Sequence, residues 1–140
     1  MARSWMWAAE RLGFHLVICA PTAYQPRPEY LARFGGGTIA CETDPATAVK
    51  GADVLYTDVF VSMGQEAEGA RRLEELKAYQ INSALVEAAG PQAIVMHCLP
   101  AYRGKEITEE VLEAHADTIF QEAENRLHAQ KAVMSLLARA

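Results

Sequence analysis

The sequence lacks the long apolar run, the basic segment and the leader that several classes of protein require. No apolar run reaches the ~18 residues needed to cross a membrane. The first residues, 1–5, lack the apolar core and cleavage site of a signal peptide. Lys and Arg number 13 against 18 Asp and Glu, for a net charge of −5, and they form no block or stripe. We therefore expect a cytoplasmic protein that binds neither membranes nor nucleic acid.

Cysteine is scarce, and the glycines do not form a nucleotide-binding motif. The 3 cysteines, Cys19, Cys41 and Cys98, lie at irregular spacing with no C-x-x-C pair or zinc-binding pattern. No G-x-G-x-x-G occurs, and the glycine run at residues 35–37 precedes a strand-like segment, so we interpret it as a turn. We expect a reduced protein with no metal ion and no cofactor.

What the chain does contain is an alternation of helical and strand-like segments. Its 140 residues, 51% hydrophobic and 22% charged, are typical of one globular domain. Hydrophobic periodicity predicts strands at 15–20, 38–41, 52–57, 93–96 and 118–120, and helices at 1–12, 28–33, 44–51, 67–78, 84–89, 108–115 and from 123 onward. This order predicts a three-layer α/β fold with a doubly wound, Rossmann-like parallel sheet. Because a helix comes first, we expect the sheet to lack its first central strand.

Helix caps follow from the same pattern. Gly13 suits the carboxyl end of the first helix, and Asp44, Ser83 and Thr108 are the predicted amino-terminal caps.

The most informative segment is residues 97–100, which read H-C-L-P directly after the apolar run 93–96. That run is typical of a buried parallel strand, and Pro100 cannot extend a sheet ladder. The strand at 52–57 likewise runs into Asp58 and a loop. Because α/β proteins bind ligands at the carboxyl ends of their strands, we expect Asp58, Ser62 and Cys98 to share one crevice.

Several roles remain open for these residues when they are considered one by one. Cys98 could be a covalent nucleophile, a metal ligand, a polar contact to a ligand or a structural thiol. His97 adjoins it and therefore lies on the opposite strand face, which disfavours both a cysteine–histidine pair and a shared metal. His97 fits a buried, hydrogen-bonded residue as well as a functional one. Asp58 alone fits a turn residue as well as a ligand-binding one.

Three motifs, in order along the chain, resemble those of ornithine carbamoyltransferases. Residues 58–64 resemble the family's D-x-x-x-S-M-G loop, residues 97–100 its H-C-L-P motif, and residues 124–132 its E-N-R-x-H-x-Q-K-A segment. The resemblance covers the whole chain but only the amino-acid-binding half of the family's protein. The family's S-T-R-T phosphate loop is absent. We therefore expect residues 1–140 to be the ornithine-binding domain, without the carbamoyl-phosphate-binding domain.

The resemblance implies a reaction and a role for each motif residue. The carbamoyl group of carbamoyl phosphate would pass to the δ-amino group of ornithine, giving citrulline and phosphate. Asp58, with Ser62 beside it, would bind the α-amino group, and the backbone of Met63 would bind the α-carboxylate. Cys98, together with the carbonyl of Leu99, would position the δ-amino group.

Arg126 completes the implied site, and with Cys98 it is a candidate catalytic residue. We expect it at the start of the last helix, where guanidinium and helix amino terminus would face the carbamoyl or phosphate oxygens. The alternative is a surface ion pair with Glu122 or Glu124, which contributes little stability. Arg103 and Lys105 follow Pro100 closely and could line the mouth of the crevice, but we interpret them as solvated loop charges.

The resemblance also implies partners. We expect a homo-oligomer, trimeric in the family, that uses ornithine and carbamoyl phosphate, and we expect the isolated chain to be inactive. One alternative is a non-catalytic amino-acid-binding or structural remnant. Another is a transcarbamylase that acts on a different amine, which the S-M-G run disfavours. A missing central strand would leave strand edges unpaired, which predicts marginal stability or self-association.

Overall fold

The computed structural model describes residues 1–35 and 37–139, in which helices alternate with parallel strands. The elements are α1 (Ala2–Leu12), β1 (Leu16–Cys19), α2 (Pro28–Leu31), β2 (Ile39–Glu42), α3 (Pro45–Ala48), β3 (Val54–Thr57), α4 (Gly69–Leu76), α5 (Ser83–Ala89), β4 (Ile94–His97), α6 (Glu109–Ala114) and α7 (Ala116–Leu137). The predicted α/β class and parallel pairing are confirmed. The predicted glycine turn includes Gly36, which lies outside the described residues.

The strands form two separate parallel pairs. β1 pairs with β2, starting from Leu16 opposite Ile39, and β3 pairs with β4, with Thr57 opposite His97. Within the described part of the chain each strand has one ladder partner, so the sheet is interrupted, in keeping with the expected incomplete sheet. The second pair matters most for function because both of its strands end at motif residues.

The core lies on one face of this second pair. Leu55 and Val95 are buried there against residues of the later helices and loops, namely Ile81, Ile107, Val111, Leu112 and Ile119. On the other face Val54 and Ile94 are 44% and 40% exposed. The prediction of a strand buried throughout is therefore wrong for Ile94, because the helices cover this face only in part.

Local capping chemistry sets several helix ends. Gly13 adopts the left-handed conformation after α1, as predicted, and Asp44 accepts a hydrogen bond from the backbone of Thr47 at 2.9 Å. Thr108 caps α6 as predicted. The cap of α5 is Asn82 and not Ser83, because the Asn82 side chain accepts the Leu85 N–H while the Ser83 hydroxyl donates to Glu110.

The predicted strand at residues 118–120 is wrong, since α7 runs unbroken from Ala116 to Leu137. Ile119 is fully buried and reaches the core from the first turns of the helix. Glu122 and Ala123, three and four residues later, are also partly buried, which is helical spacing. This tertiary contact overrides the local preference of an isoleucine–phenylalanine pair for a strand. None of the described helices is both long and apolar enough to cross a membrane.

Candidate functional site

The candidate site lies where β3 and β4 end side by side. Because Thr57 stands opposite His97 in the parallel register, the next residues, Asp58 and Cys98, emerge next to each other. The Cys98 thiol donates a hydrogen bond to Asp58 Oδ1 over 3.2 Å. Two motif residues that are 40 positions apart in sequence thus meet, as the strand pattern predicted.

The Asp58 carboxylate is held in place by the protein on one oxygen only. Oδ1 accepts from both the Cys98 thiol and the backbone N–H of Val59, the latter over 2.7 Å. Oδ2 accepts no hydrogen bond from the described residues and remains available to a ligand. An ammonium group approaching Oδ2 would form a charge-assisted hydrogen bond, which is stronger than a neutral one.

The protonation state of Cys98 decides among its possible roles. Burial is the largest cause and raises the pKa of the thiol above its ordinary value. The Tyr56 hydroxyl lowers this pKa, and the hydrogen bond to Asp58 and the charge of its carboxylate raise it. A raised pKa keeps the sulfur protonated at neutral pH, whereas nucleophiles and metal ligands are thiolates. Together with the hydrogen bond to Asp58, the raised pKa therefore favours a polar contact.

Two further polar groups lie at this site that sequence reasoning missed. Tyr56 lies on β3, two residues before Asp58, and Glu122 reaches the same place from α7. Burial raises the pKa of each, and each side chain lies close enough to influence the pKa of the other. The Tyr56 hydroxyl and Glu122 Oε2 are buried without a hydrogen-bond partner of good geometry among the described residues. No local signal marks Glu122, since its position depends on where α7 begins.

His97 is buried and hydrogen-bonded, as one of its two interpretations from the sequence expects, and it belongs to a network of polar groups. Its ring is fully buried, with Nε2 3.1 Å from Glu106 Oε1, and its Nδ1 accepts the backbone N–H of Leu99 over 2.9 Å. Leu99 itself has a φ of 51°, in the left-handed region that residues with a Cβ rarely adopt.

The loop after β3 is exposed and is braced by its own side chains. Met63 is 97% exposed, and Ser62 is exposed as well. The backbone N–H of Ser62 donates to the Gln65 side chain over 3.3 Å, and that of Gly64 donates to Glu66 over 3.0 Å. The Met63 N–H, between them, donates to none of the described residues.

Arg126 does not lie at a helix amino terminus. It is ten residues beyond Ala116, almost three turns into α7 at about 3.6 residues per turn. Its side chain is exposed and follows Glu122 on the same face of the helix, one turn further along. The predicted anion site formed jointly by Arg126 and the helix terminus is therefore wrong, because α7 already begins at Ala116.

A cavity of about 380 Å³ lies beside the loop that follows β3, between Phe60, Lys77 and Lys105, and it includes neither Asp58 nor Cys98. Arg103 is paired with Glu109 and Glu113 on the surface, as expected of a solvated loop charge.

This chain is similar in sequence and fold to proteins named as carbamoyltransferases. The family profile described as Aspartate/ornithine carbamoyltransferase, Asp/Orn binding domain, matches residues 1–137. An ornithine carbamoyltransferase from Akkermansia muciniphila is 56% identical over 140 residues, which are 100% of this chain and 46% of that protein.

Solved structures agree with the sequence match. The anabolic ornithine carbamoyltransferase of Campylobacter jejuni superposes with a TM-score of 0.90 at 40% identity, over 99% of this chain and 48% of that one. The ornithine carbamoyltransferase of Pyrococcus furiosus gives 0.85 at 43% identity, over 97% and 45% of the two chains. The chain thus spans about half the length of the relatives it matches, and it belongs to the aspartate/ornithine carbamoyltransferase family, within which it corresponds to the Asp/Orn-binding domain.

Proposed function

We propose that this chain is the ornithine-binding half of an ornithine carbamoyltransferase, the enzyme that transfers the carbamoyl group of carbamoyl phosphate to the δ-amino group of ornithine. The observation that carries the proposal is the 3.2 Å hydrogen bond between Cys98 and Asp58. It joins the S-M-G loop segment to the H-C-L-P segment in one crevice. The names of the similar proteins support ornithine as the amino acid.

The backbone and carboxylate groups of the crevice suit an α-amino acid. Asp58 Oδ2 would accept hydrogen bonds from the α-ammonium group, with the Ser62 hydroxyl as a neighbouring acceptor. The Met63 N–H is free to donate to the α-carboxylate, because the N–H groups on either side are already bound by Gln65 and Glu66.

The δ-amino group would lie between the Cys98 sulfur and the Leu99 carbonyl. A free alkylammonium has a pKa of about 10.4, and only its neutral form can attack a carbonyl carbon. Held by its N–H groups, the neutral amine would direct its lone pair at the carbamoyl carbon. The new C–N bond forms as the C–O bond to phosphate breaks, and one proton of the amine passes to the departing phosphate.

Arg126 would contact the carbamoyl or phosphate oxygens from its exposed position on α7, through the guanidinium alone. Binding of carbamoyl phosphate needs further groups that these 140 residues do not supply. We therefore expect the isolated chain to form no citrulline, and measurable turnover by it would contradict this part of the proposal. The working enzyme is proposed to be a cytoplasmic homo-oligomer, a trimer, with no cofactor.

Calorimetry with ornithine tests the proposal. The wild-type chain should bind ornithine, and Asp58→Ala should bind it about tenfold more weakly or worse, because a charge-assisted hydrogen bond is lost. Asp53→Ala is the matched control, since Asp53 is exposed at the opposite end of β3. N-acetylornithine, whose α-nitrogen carries no charge, should bind more weakly than ornithine.

Three outcomes would overturn the proposal. Absence of ornithine binding to the wild-type chain would favour the structural-remnant alternative. Equal affinity of the wild type and Asp58→Ala would place the amino-acid site elsewhere. Tighter binding of N-acetylornithine would favour a transcarbamylase of another amine.

A further inference from the structure

Glu106 is a fully buried carboxylate outside the predicted site. Its Oε1 accepts the backbone N–H of Tyr102 over 2.6 Å and lies 3.1 Å from His97 Nε2. Its Oε2 is buried with no hydrogen-bond partner among residues 1–35 and 37–139. Burying an acidic group this completely costs free energy that its two hydrogen bonds offset only in part. The proposed function gives the group no task.

The hydrogen bonds around His97 fix which of its nitrogens carries the proton. Nδ1 accepts the N–H of Leu99, so it must be unprotonated, and the ring proton must lie on Nε2. Nε2 then donates to Glu106. Glu106 thereby selects the tautomer that lets His97 accept from Leu99.

The contacts that run from Glu106 through His97 end at Leu99, whose backbone conformation is strained. Leu99, with φ at 51°, adopts a left-handed conformation that is unfavourable for a residue with a Cβ. Its N–H is held by His97, and its neighbour Cys98 is held by Asp58. The peptide between Cys98 and Leu99 is thus fixed at both ends.

We infer that Glu106 is a positioning residue, which acts through the His97 ring to hold Leu99 in its left-handed conformation and so aims the Leu99 carbonyl and the Cys98 thiol at the ligand's amino group. The identity of that ligand rests on the proposed function. The contacts from Glu106 to Leu99 do not.

The first test needs no variant. Long-range ¹H–¹⁵N spectra of the histidine rings of the wild-type chain should show His97 as the Nε2–H tautomer. A protonated Nδ1, whether in the other neutral tautomer or in the imidazolium, would overturn the inference whether or not the chain binds ornithine.

Variants of Glu106 test whether its effect on the His97 ring reaches Leu99. Glu106→Leu removes the acceptor and should abolish the single tautomer, shift the amide signals of Cys98 and Leu99, and weaken ornithine binding about tenfold. Glu106→Gln keeps an acceptor oxygen and should restore the tautomer and most of the affinity. Glu87→Leu, an exposed glutamate of α5, is the matched control and should change none of these.

The outcomes separate the two proposals. Unchanged Cys98 and Leu99 signals in a folded Glu106→Leu would overturn the positioning role. If Glu106→Leu does not fold, loss of the Nε2–H tautomer in a folded Glu106→Gln would overturn the inference, and its retention would support it. If none of the proteins binds ornithine, the wild type included, the proposed function is refuted. The tautomer of His97 would still test the role of Glu106 in that case.

Discussion

At the scale of single residues, the three thiols of this chain share one main cause of a raised pKa and differ in the further causes. Burial is the main cause that raises the pKa of each, and it raises that of Cys19 to about 11 with help from Glu42. For Cys98 the adjacent Asp58 carboxylate adds to burial, both by accepting the S–H hydrogen bond and by its charge. The reactivity of Cys98 should therefore respond to a change at Asp58, while that of the other two should not.

Alkylation measures this dependence. Asp58→Asn removes the carboxylate charge and should lower the pKa of Cys98, so that more thiolate is present at any given pH. At about pH 8, iodoacetamide should modify Cys98 about threefold faster in the variant than in the wild type. The rate should rise with pH in both proteins, and in the variant the rise should begin at lower pH. Peptide mass spectrometry resolves the three sites.

Cys19 and Cys41 serve as internal controls in the same sample, because neither lies beside Asp58. A difference in the alkylation rate of Cys19 or Cys41 between Asp58→Asn and the wild type would indicate that the substitution loosens the fold as a whole. A Cys98 rate that stays the same or falls in Asp58→Asn would contradict the contact between the two side chains.

At the scale of elements, α7 is where sequence and structure disagree most. The helix begins at Ala116, buries Ile119 and leaves Phe120 57% exposed. A strand at 118–120 would instead place residues 118 and 120 together on the face opposite Ile119. The two arrangements predict different costs for truncating Phe120.

Truncation of these neighbours to alanine distinguishes helix from strand packing. Ile119→Ala should lower the free energy of unfolding by about 2–4 kcal/mol, because it removes a fully buried side chain from the core. Phe120→Ala should change it by less than about 0.5 kcal/mol, because most of the ring is in water. Urea unfolding followed by circular dichroism measures both. A larger cost for Phe120→Ala than for Ile119→Ala would contradict the position of α7.

The sequence predicts those features that depend on neighbouring residues, and it fails for those that depend on tertiary packing. The sequence places Asp58 and Cys98 together because each directly follows a strand, and parallel strands end at one edge. It identifies Thr108 and Asp44 as caps because capping depends on a few adjacent residues. The position of Glu122 and the depth of Arg126 in α7 depend on the contact of Ile119 with the core, which no nearby residue indicates.

At the scale of the whole molecule, the chain is unevenly packed. The core joins β3 and β4 to α6 and to the first turns of α7. Every residue from 124 to 139 is exposed, including apolar Leu127, Met134 and Leu137. A helix without tertiary contacts is marginally stable in water. The end of α7 should therefore open far more readily than the core.

Hydrogen exchange measures this gradient. Amides of α7 from about residue 127 onward should exchange with opening free energies of no more than about 2 kcal/mol, while those of β3, β4 and the turn around Ile119 should approach the global value. Amide-resolved exchange of the isolated chain gives both in one experiment. Equal protection along the whole of α7 would show that the exposed half is covered, as it would be in a self-associated form.

The most direct measurement of the proposed binding site is a ¹H–¹⁵N NMR titration of the chain with ornithine. The signals that shift should be those of residues 58–64 and 97–99, at the ends of β3 and β4, while those of β1 and β2 stay in place. Shifts confined to other elements, or none at all at saturating ornithine, would contradict a site built on Asp58 and Cys98.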